Sequence, residues 1–338
     1  MGIEDYVAST KFGIDNLSFL FGAGTSFEAG YPLISGLTVS VLGGLSPDEN
    51  NNLSEVFTAL KIDVNTLNIE EISDCVLKHY IESQDIRFFY LMDRIRSLIS
   101  EVILDVSNPN LSNHISFFNS LKRRAFNRST VVWIFTTNYD LLFEEAAALS
   151  GVNLINGFTG VSTRFYSEDE FHAVRGTRSG SRFVETPALT VRLVKLHGSV
   201  SWYKNETNVF ECHPQQIPHD KPRCMVLPRR KKVIETLDTP YQRLFRISSE
   251  FLGSQCVNLI ASGFSFCDDH INDTLITSKI NNGKIILANF CEVEPPELTD
   301  LRSRPNVSHI TKDKLINGGI ETAGATDFWK FSEFVKLF

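Results

Sequence analysis

The sequence predicts an α/β fold with a doubly wound parallel sheet and a layer of helices inserted after its first strand. Short apolar runs that end in small or polar residues are typical of buried parallel strands. Five such runs lie at residues 17–21, 131–135, 189–196, 256–261 and 284–288. A helical pattern follows the second run, with Asp140 as a candidate N-cap and Gly151 as its stop. Strands that alternate with helices indicate a sheet covered on both faces.

The helical layer is predicted from a long segment with helical periodicity and no convincing strand, residues 37–127. Five apolar residues in it fall on one helix face: Phe88, Leu91, Ile95, Leu98 and Val102. We therefore expect a core made of residues 1–36 and 128–338, with 37–127 as an insertion. Residues 157–186 are rich in Gly, Ser, Thr and Arg, which favours an extended loop or hairpin.

Composition narrows the class of protein. The chain has 338 residues, 42% of them hydrophobic, and 26 Phe, so it has ample apolar surface to bury. A net charge of −7 disfavours a surface built mainly for nucleic acid or anionic membrane, and we interpret the basic run at 228–232 as a solvated loop. Six scattered cysteines are typical of a reducing compartment. With neither a leader pattern nor a membrane-length apolar run, these features predict a cytoplasmic protein.

The first candidate site is the turn that follows the first strand. It consists of Gly22, Ala23, Gly24, Thr25 and Ser26. Glycines allow a sharp turn and a close approach to a ligand, and a helix N-terminus presents N–H groups to phosphate. Phe27 occupies the third glycine position of the G-x-G-x-x-G fingerprint, so a tight turn without a ligand remains the alternative.

Two further strands end in polar residues that are able to do chemistry. Asn138 follows the second strand, where it is suited to hold a ribose hydroxyl or a water. For Asp140 the favoured interpretation is that it caps the next helix. His197 follows the third strand in Leu196-His197-Gly198, and a neutral imidazole there is able to accept a proton, although a lone histidine is more often structural.

The remaining candidates lie after the last two predicted strands. Gly263 and Ser265 belong to a second small-residue turn, and Asn289 ends the final run. The carboxyl ends of parallel strands share one edge of a sheet, which is where ligands bind in open α/β folds. We therefore expect all of these residues at one edge.

In their order along the chain these motifs resemble those of the sirtuin family. Sirtuins carry Gly-Ala-Gly-x-Ser, Gly-Ile-Pro, Thr-Gln-Asn-Ile-Asp, His-Gly, Gly-x-Ser and a strand ending in Asn. This chain has Gly22-Ala23-Gly24-Thr25-Ser26, Gly30-Tyr31-Pro32, Thr136-Thr137-Asn138-Tyr139-Asp140, Leu196-His197-Gly198, Gly263-Phe264-Ser265 and Asn289. The resemblance spans residues 17–290 and implies a Rossmann-like sheet of about six strands with NAD across its C-terminal edge.

The resemblance also implies a role for each residue. His197 would accept a proton from a ribose hydroxyl, Asn138 would orient the ribose and a water, and Asp140 would stabilise positive charge. The residues of the first turn, Gly22 to Ser26, would bind the diphosphate. Gly263, Ser265 and Asn289 would hold the adenosine half.

The chain departs from the family at two places. Sirtuin deacylases carry a zinc ribbon of two Cys pairs, whereas here the region has only Cys212, His213, His219 and Cys224, at spacings unlike a zinc site. The Arg that follows Gly-Ile-Pro in sirtuins is missing, because Leu33-Ile34-Ser35 stand there. We therefore expect no metal, a fold without a zinc ribbon, and NAD as the substrate.

A zinc-less chain with an insertion is similar to the sirtuin-like effectors of bacterial antiphage defence. That resemblance implies an NAD hydrolase that releases nicotinamide and linear or cyclic ADP-ribose. It also implies a homo-oligomer and a partner such as a HerA-type ATPase, an Argonaute-like protein or another phage sensor, with 37–127 or 157–186 restraining activity. The alternatives are an NAD-dependent protein-lysine deacylase and a non-catalytic sensor of NAD or ADP-ribose.

Overall fold

The computed structural model describes residues 14, 16–62, 67–227 and 240–338. The strands are β1 (Leu17–Phe21), β2 (Thr130–Thr136), β3 (Asn153–Ile155), β4 (Phe158–Gly160), β5 (Arg164–Tyr166), β6 (Gly176–Ser179), β7 (Arg182–Glu185), β8 (Leu189–Lys195), β9 (Gly198–Asn205), β10 (Asn208–Glu211), β11 (Arg223–Met225), β12 (Asn258–Ser262), β13 (Ile286–Phe290), β14 (Val307–Ile310), β15 (Lys314–Asn317) and β16 (Ile320–Ala323).

The α-helices are α1 (Gly24–Phe27), α2 (Ile34–Gly43), α3 (Pro47–Leu60), α4 (Ile69–Ser83), α5 (Ile86–Leu104), α6 (Ser112–Arg124), α7 (Leu142–Leu149), α8 (Tyr241–Phe251), α9 (Asp269–Ile271), α10 (Ser278–Asn281) and α11 (Phe331–Phe334). A π-helical segment, Asn272–Thr277, joins α9 to α10. None of the helices in the described ranges combines the length and the apolarity that crossing a membrane requires.

A large sheet organises the molecule, in the order β16-β15-β14-β13-β12-β1-β2-β8-β3. The seven strands from β14 to β3 are parallel, and β15 and β16 are antiparallel additions at one edge. This confirms the predicted Rossmann-like α/β class, although the sheet has more than the six strands expected. The additional strands β3, β14, β15 and β16 are only three or four residues long, too short for a period-2 pattern to be recognised.

Strand order changes direction at β1. From β1 the chain proceeds to β2 and β8 on one side, and later returns to β12, β13 and β14 on the other side of β1. The register aligns Phe21 with Thr136 and with Ser262, and Thr136 with Lys195. The loops that follow β1, β2, β8 and β12 therefore emerge at one edge, at the point where open sheets leave a crevice for ligands.

Alternate residues of the central strands enter different cores because side chains in a strand alternate between faces. Phe19 and Phe21 pack on one face with Phe117 and Phe334, whereas Leu20 packs on the other with Trp133. The rings of Phe21 and Phe117 are 5.5 Å apart and nearly perpendicular. Phe side chains therefore fill the layer where α6, α7 and α11 cover the sheet, and others, such as Phe171 and Phe251, fill the core on the opposite face.

Helices α2 to α5 share a separate core, which includes Val56, Ile72, Phe88 and Ile95. The predicted apolar face lies in α5, where Phe88, Leu91, Ile95 and Leu98 are buried. In contrast, α6 packs against the sheet through Phe117 and Phe118. Of the helices between β1 and β2, α2 to α5 thus pack on one another and α6 packs on the large sheet. The predicted limits of an inserted unit, residues 37 and 127, stay a prediction.

The expectation of a single loop or hairpin at 157–186 is correct only for the end of that segment. β6 and β7 form an exposed antiparallel hairpin. The preceding residues form β4 and β5, which belong to a second, antiparallel sheet in the order β11-β9-β10-β5-β4. It combines two hairpins, β4–β5 and β9–β10, with β11. The pairing of Phe210 with Phe165 joins the two hairpins across a long stretch of chain, which no local pattern predicts. The basic run 228–232 lies outside the described residues.

Candidate active site

The turn after β1 is in contact with the turn after β12. A Cβ atom added to Gly22 would lie 2.6 Å from the carbonyl oxygen of Gly263, and one added to Gly24 would lie 2.6 Å from the Gly263 Cα. The Gly24 N–H donates to the Gly263 carbonyl at 2.9 Å. Gly263 itself has φ +63°, which favours glycine. The three glycines are therefore required for these turns to touch.

The N–H groups of the same turn are already engaged within the protein. Thr25 donates its N–H to Gly22 at 3.0 Å, and Ser26 donates to Ala23 at 3.1 Å. The Thr25 hydroxyl also donates to the Gly22 carbonyl, at 2.9 Å. The binding of a diphosphate by the turn Gly22–Ser26 stays a prediction, and it requires these N–H groups to be shared or released.

Asn138 is held against that turn by one end of its amide. Its Nδ2 group donates towards the Gly22 carbonyl at 3.1 Å, the Thr25 hydroxyl at 3.2 Å and the Ser26 hydroxyl at 2.8 Å. A backbone carbonyl only accepts hydrogen bonds, so the contact with Gly22 determines which way the amide faces. The other end, Oδ1, is buried and has no partner in the described part of the chain.

Asp140 has two oxygens with two different tasks. Oδ1 accepts the N–H of Leu142, the first residue of α7, at 3.1 Å. The N-cap of α7 is Leu141, so the prediction of Asp140 as the N-cap is wrong by one residue, although its side chain still satisfies an N–H at the start of the helix. Oδ2 accepts the hydroxyl hydrogen of Ser26 at 2.7 Å. Because Ser26 also accepts from Asn138, the three side chains form one directed hydrogen-bond chain from amide to hydroxyl to carboxylate.

A buried lysine, Lys195, contacts the loop that carries Asn138 and Asp140. Lys195, at the end of β8, is 1% exposed, and its ammonium donates to the Asp140 carbonyl and to the Ser199 hydroxyl. It forms an ion pair with Glu144 at 2.8 Å. A buried charge needs such partners, because removing it from water costs several kcal/mol. Lys195 thereby ties the loop after β8 to the loop that carries Asn138.

The surroundings of this lysine are rich in carboxylates. Burial and the neighbouring carboxylates of Glu144 and Asp140 raise the pKa of Glu145. The pKa of Tyr31, in Gly30-Tyr31-Pro32, is also raised, first by burial and then by the charge of Asp140. The carboxylates of Asp140, Glu144 and Glu145 thus lie close enough to act on one another, and the Lys195 ammonium pairs with that of Glu144.

His197 is paired with a carboxylate from a different loop. Its Nε2 lies 2.8 Å from Oδ2 of Asp268, and both side chains are 6% exposed. Oδ1 of Asp268 accepts the N–H groups of His270 and Ile271, which begin the helical segment after β12. The carboxylate is therefore oriented by backbone donors, and it orients the imidazole in turn.

Tyr139 bridges the loops of Asn138 and His197. Its ring centroid is 6.4 Å from that of His197, and its hydroxyl donates to the Val226 carbonyl at 2.6 Å. The Val226 N–H donates to the His197 carbonyl at 2.9 Å, and the Val200 N–H donates to the Tyr139 carbonyl at 3.1 Å. The structure thus connects Asn138, Asp140 and His197 through one network.

The other predicted site residues, Ser265 and Asn289, differ in their exposure to solvent. Ser265 is exposed and accepts the N–H of Cys267 at 3.4 Å. Asn289 lies inside β13, not at its end, and is fully buried. Its Nδ2 faces Nδ1 of His309 at 3.4 Å, and its Oδ1 has no partner among the described residues. Contact of these residues with an adenosine stays a prediction.

Sequence reasoning missed Asp268, Lys195 and Glu144. Asp268 follows the Gly263-Phe264-Ser265-Phe266 turn by two residues, so its position after a predicted strand was a usable signal. Ser199 is only four residues from Lys195 along the chain, whereas Asp140 and Glu144 follow β2 and are brought beside Lys195 by the register of β2 with β8.

The residues considered for a metal site lie in β11 and in the segment between β10 and β11. Cys212 and Cys224 are buried free thiols, and His213 accepts the N–H of Gln215 in a turn. No group of three His, Cys, Asp or Glu side chains suited to hold a metal ion occurs within the described ranges. The expectation that the protein works without metal stays a prediction.

The fold and the site together define a Rossmann-like α/β protein with a cluster of buried polar side chains at the switch point of its sheet. A family model described as SIR2-like domain matches residues 132–303, half of the chain. The chain therefore belongs to the SIR2-like domain family, and a sirtuin-like, NAD-related function follows in general. The match includes Asn138, His197 and Gly263 but not the turn after β1. No curated protein matches the chain.

Proposed function

We propose that the chain hydrolyses NAD⁺ at the bond between nicotinamide and ribose. The observation that carries this proposal is the geometry of Asn138. Its amide is anchored through Nδ2, and the unpartnered Oδ1 is a buried acceptor. A buried acceptor without a donor costs about 1–3 kcal/mol, which a ribose hydroxyl or a water would recover by donating to it.

Hydrolysis of the bond between nicotinamide and ribose needs only a few protein groups. As the bond breaks, its electron pair goes to the pyridinium nitrogen and nicotinamide leaves, while positive charge develops on the ribose. Water adds to C1′ and loses one proton, so the products are nicotinamide, ADP-ribose and H⁺. The carboxylates of Asp140, Glu144 and Glu145 make the surroundings favourable for that positive charge.

His197 is our candidate for the group that accepts a proton from a ribose hydroxyl. The Asp268 carboxylate at 2.8 Å from Nε2 stabilises the imidazolium that results and limits the rotation of the ring. Asn138 positions the ribose and the attacking water. In this proposal Asp268 and Lys195 are positioning residues, because they act through His197 and through the Asn138 loop.

We further propose that the protein is an effector of antiphage defence that depletes NAD. This rests on the resemblance to zinc-less sirtuin-like effectors, and so do a homo-oligomeric state and a partner such as a HerA-type ATPase or another phage sensor. An unrestrained NAD hydrolase would harm its own cell, so the lone chain is expected to be slow. Tyr139 packs against the core of α2–α5, so a shift of these helices is able to reach the residue beside Asn138.

The test is to incubate the purified chain with NAD⁺, alone and with the product of its neighbouring gene, and to quantify nicotinamide, ADP-ribose and cyclic ADP-ribose. Release of nicotinamide that Asn138→Ala abolishes supports the proposal. Turnover of NAD⁺ only in the presence of an acetylated peptide indicates the deacylase instead. Tight binding of NAD⁺ or ADP-ribose without any turnover, with or without the partner, indicates the sensor.

A further inference from the structure

A cleft lies at the edge of the large sheet opposite the candidate active site. Its volume is about 580 Å³, and it is lined by the starts of β2, β3 and β8 together with the bases of α6 and of the β6–β7 hairpin. β8 is seven residues long, so its two ends lie roughly 20 Å apart. The cleft is therefore separate from the candidate active site that contains Asn138 and His197.

The volume suits a small molecule, because ligand pockets typically measure about 300–1,000 Å³. Three cationic residues line the cleft, Lys122, Arg175 and Arg192, against the single carboxylate of Glu185. Apolar side chains form part of the wall, among them Phe126, which is 76% exposed. An anionic group and a flat apolar group in one ligand fit this lining.

Arg192 is the most unusual residue in the cleft. It stands in β8, in register with Trp133 of β2, and is 7% exposed. Its guanidinium lies 5.2 Å from the Trp133 ring centroid, yet Nε is buried with no partner in the described part of the chain. Burial lowers the pKa of Arg192, which reflects the cost of keeping this charge away from water.

The Glu185 carboxylate acts on that charge from a distance and raises the pKa of Arg192, which opposes the larger effect of burial. The Glu185 carboxylate accepts the hydroxyl hydrogen of Ser129, and no ion pair between Glu185 and Arg192 occurs within the described ranges. Lys122 donates to the Ser150 carbonyl at 2.6 Å. Buried charges in proteins are normally paired. Arg192 lines the cleft, and its guanidinium forms no ion pair with any of the described residues, so an anionic ligand in the cleft is suited to supply the counter-ion.

We propose that this cleft binds a small phosphorylated ligand with an aromatic part, of the size of a nucleoside monophosphate, and that Arg192 holds its phosphate. A guanidinium is suited to a phosphate because its planar donors match two oxygens at once. Phe126 offers an exposed ring for the aromatic part. The site is independent of the proposed NAD hydrolysis and would exist in a chain that hydrolyses nothing.

The experiment measures binding by calorimetry and by the shift in melting temperature of the full chain. The probes are adenosine 5′-monophosphate, adenosine and inorganic phosphate, and the variant is Arg192→Met. Arg178→Met is the matched control, because Arg178 lies on the exposed β6 outside the cleft. We expect the monophosphate to bind more tightly than either fragment, Arg192→Met to weaken it at least tenfold, and the control to bind as the wild type does.

Two further measurements are needed. One shows that the monophosphate binds in this cleft and not at the candidate active site, and the other shows that Phe126 contributes to ligand binding and not to packing. Adenosine monophosphate is also half of NAD, so Arg192→Met must retain the wild-type affinity for NAD⁺. Phe126→Asp, a change at an exposed residue, must weaken monophosphate binding without lowering the melting temperature. Failure of the wild type to bind any probe at millimolar concentration, or unchanged binding by Arg192→Met, overturns the proposal. A lower melting temperature of Arg192→Met without any ligand-dependent difference assigns Arg192 to packing on Trp133 instead.

Discussion

At the scale of single residues, the orientation of Asn138 is the feature on which the candidate site depends. The Gly22 carbonyl and the Ser26 hydroxyl hold Nδ2, so Oδ1 is left as the acceptor for a ligand. An aspartate in the same place would set a carboxylate oxygen against the Gly22 carbonyl. An amide therefore fits both ends of this arrangement, and a carboxylate does not.

Replacing Asn138 by alanine is expected to lower NAD⁺ turnover at least 100-fold and to lower stability by about 1–3 kcal/mol, because Gly22 and Ser26 lose a buried donor. Steady-state kinetics and denaturant unfolding measure the two effects. Asn156→Ala is the matched control, since Asn156 is also buried and donates to Glu211 at 2.9 Å in the second sheet. Equal losses of turnover in both variants would mean that stability alone explains the result.

Asp268→Asn tests whether the carboxylate acts through His197. The amide oxygen is still able to cap the helical segment, whereas the negative charge beside Nε2 is lost. We expect kcat/KM to fall by at least tenfold and the acidic limb of its pH profile to move to lower pH, because the imidazolium loses its stabilising charge. An unchanged pH profile would contradict the pairing. The melting temperature of this variant shows whether the cap survives.

At the scale of elements, the contact between the turns after β1 and β12 positions the floor of the site. It is made mainly by the backbones of Gly22, Gly24 and Gly263, with the Phe264 ring packed beside Gly22, and it holds the two strands that flank the switch point. The directed chain from Asn138 to Asp140 rests on this floor. Loops that carry function are positioned in this way by the rigid sheet beneath them.

Gly263→Ala is expected to destabilise the protein by about 2–4 kcal/mol, because the new Cβ would lie 2.5 Å from the Thr25 nitrogen at a φ of +63°. Gly283→Ala separates the two causes. Gly283 has φ +65° but no atom within 4 Å of the added Cβ, so only the backbone strain of about 1 kcal/mol is expected there. Thermal or denaturant unfolding gives both values. Similar losses at the two positions would show that the turns are free to separate.

At the scale of the whole molecule, two buried histidines make stability depend on pH. His114 is fully buried between the rings of Phe143 and Phe331, and burial lowers its pKa to about 4. His309 is likewise buried, with a pKa lowered to about 4. The unfolded chain binds these protons first, near pH 6.5, so stability is complete above that pH and is lost as the pH falls towards 4.

Each histidine is expected to contribute roughly 3 kcal/mol to this loss, from a shift of about 2.5 pKa units. His114→Phe removes the contribution of His114 to the pH dependence of the unfolding free energy. Neither ring nitrogen of His114 has a partner in the described ranges, so phenylalanine leaves nothing unpaired and the variant should match the wild type at pH 7. Unfolding free energies measured from pH 7 to 4.5 should then fall less steeply in His114→Phe. Parallel curves for the two proteins would exclude this role.

The sequence by itself determined the strands of the central sheet, because each is a continuous apolar run that must be buried on both faces. It also determined that Asn138, Asp140 and His197 follow such strands, and the motif order was sufficient for the family. The catalytic roles of these residues, the NAD-hydrolase activity and the antiphage partner remain predictions.

Only the tertiary structure decided which side chains meet. The pairing of His197 with Asp268 joins residues 71 positions apart, and that of Ser26 with Asp140 spans 114. The second sheet likewise pairs strands that are distant in the chain. The contact of the Arg192 guanidinium with the Trp133 ring also joins two such strands. Periodicity reports how a segment faces the core, whereas contacts between segments follow from sheet order and register, which no local pattern specifies.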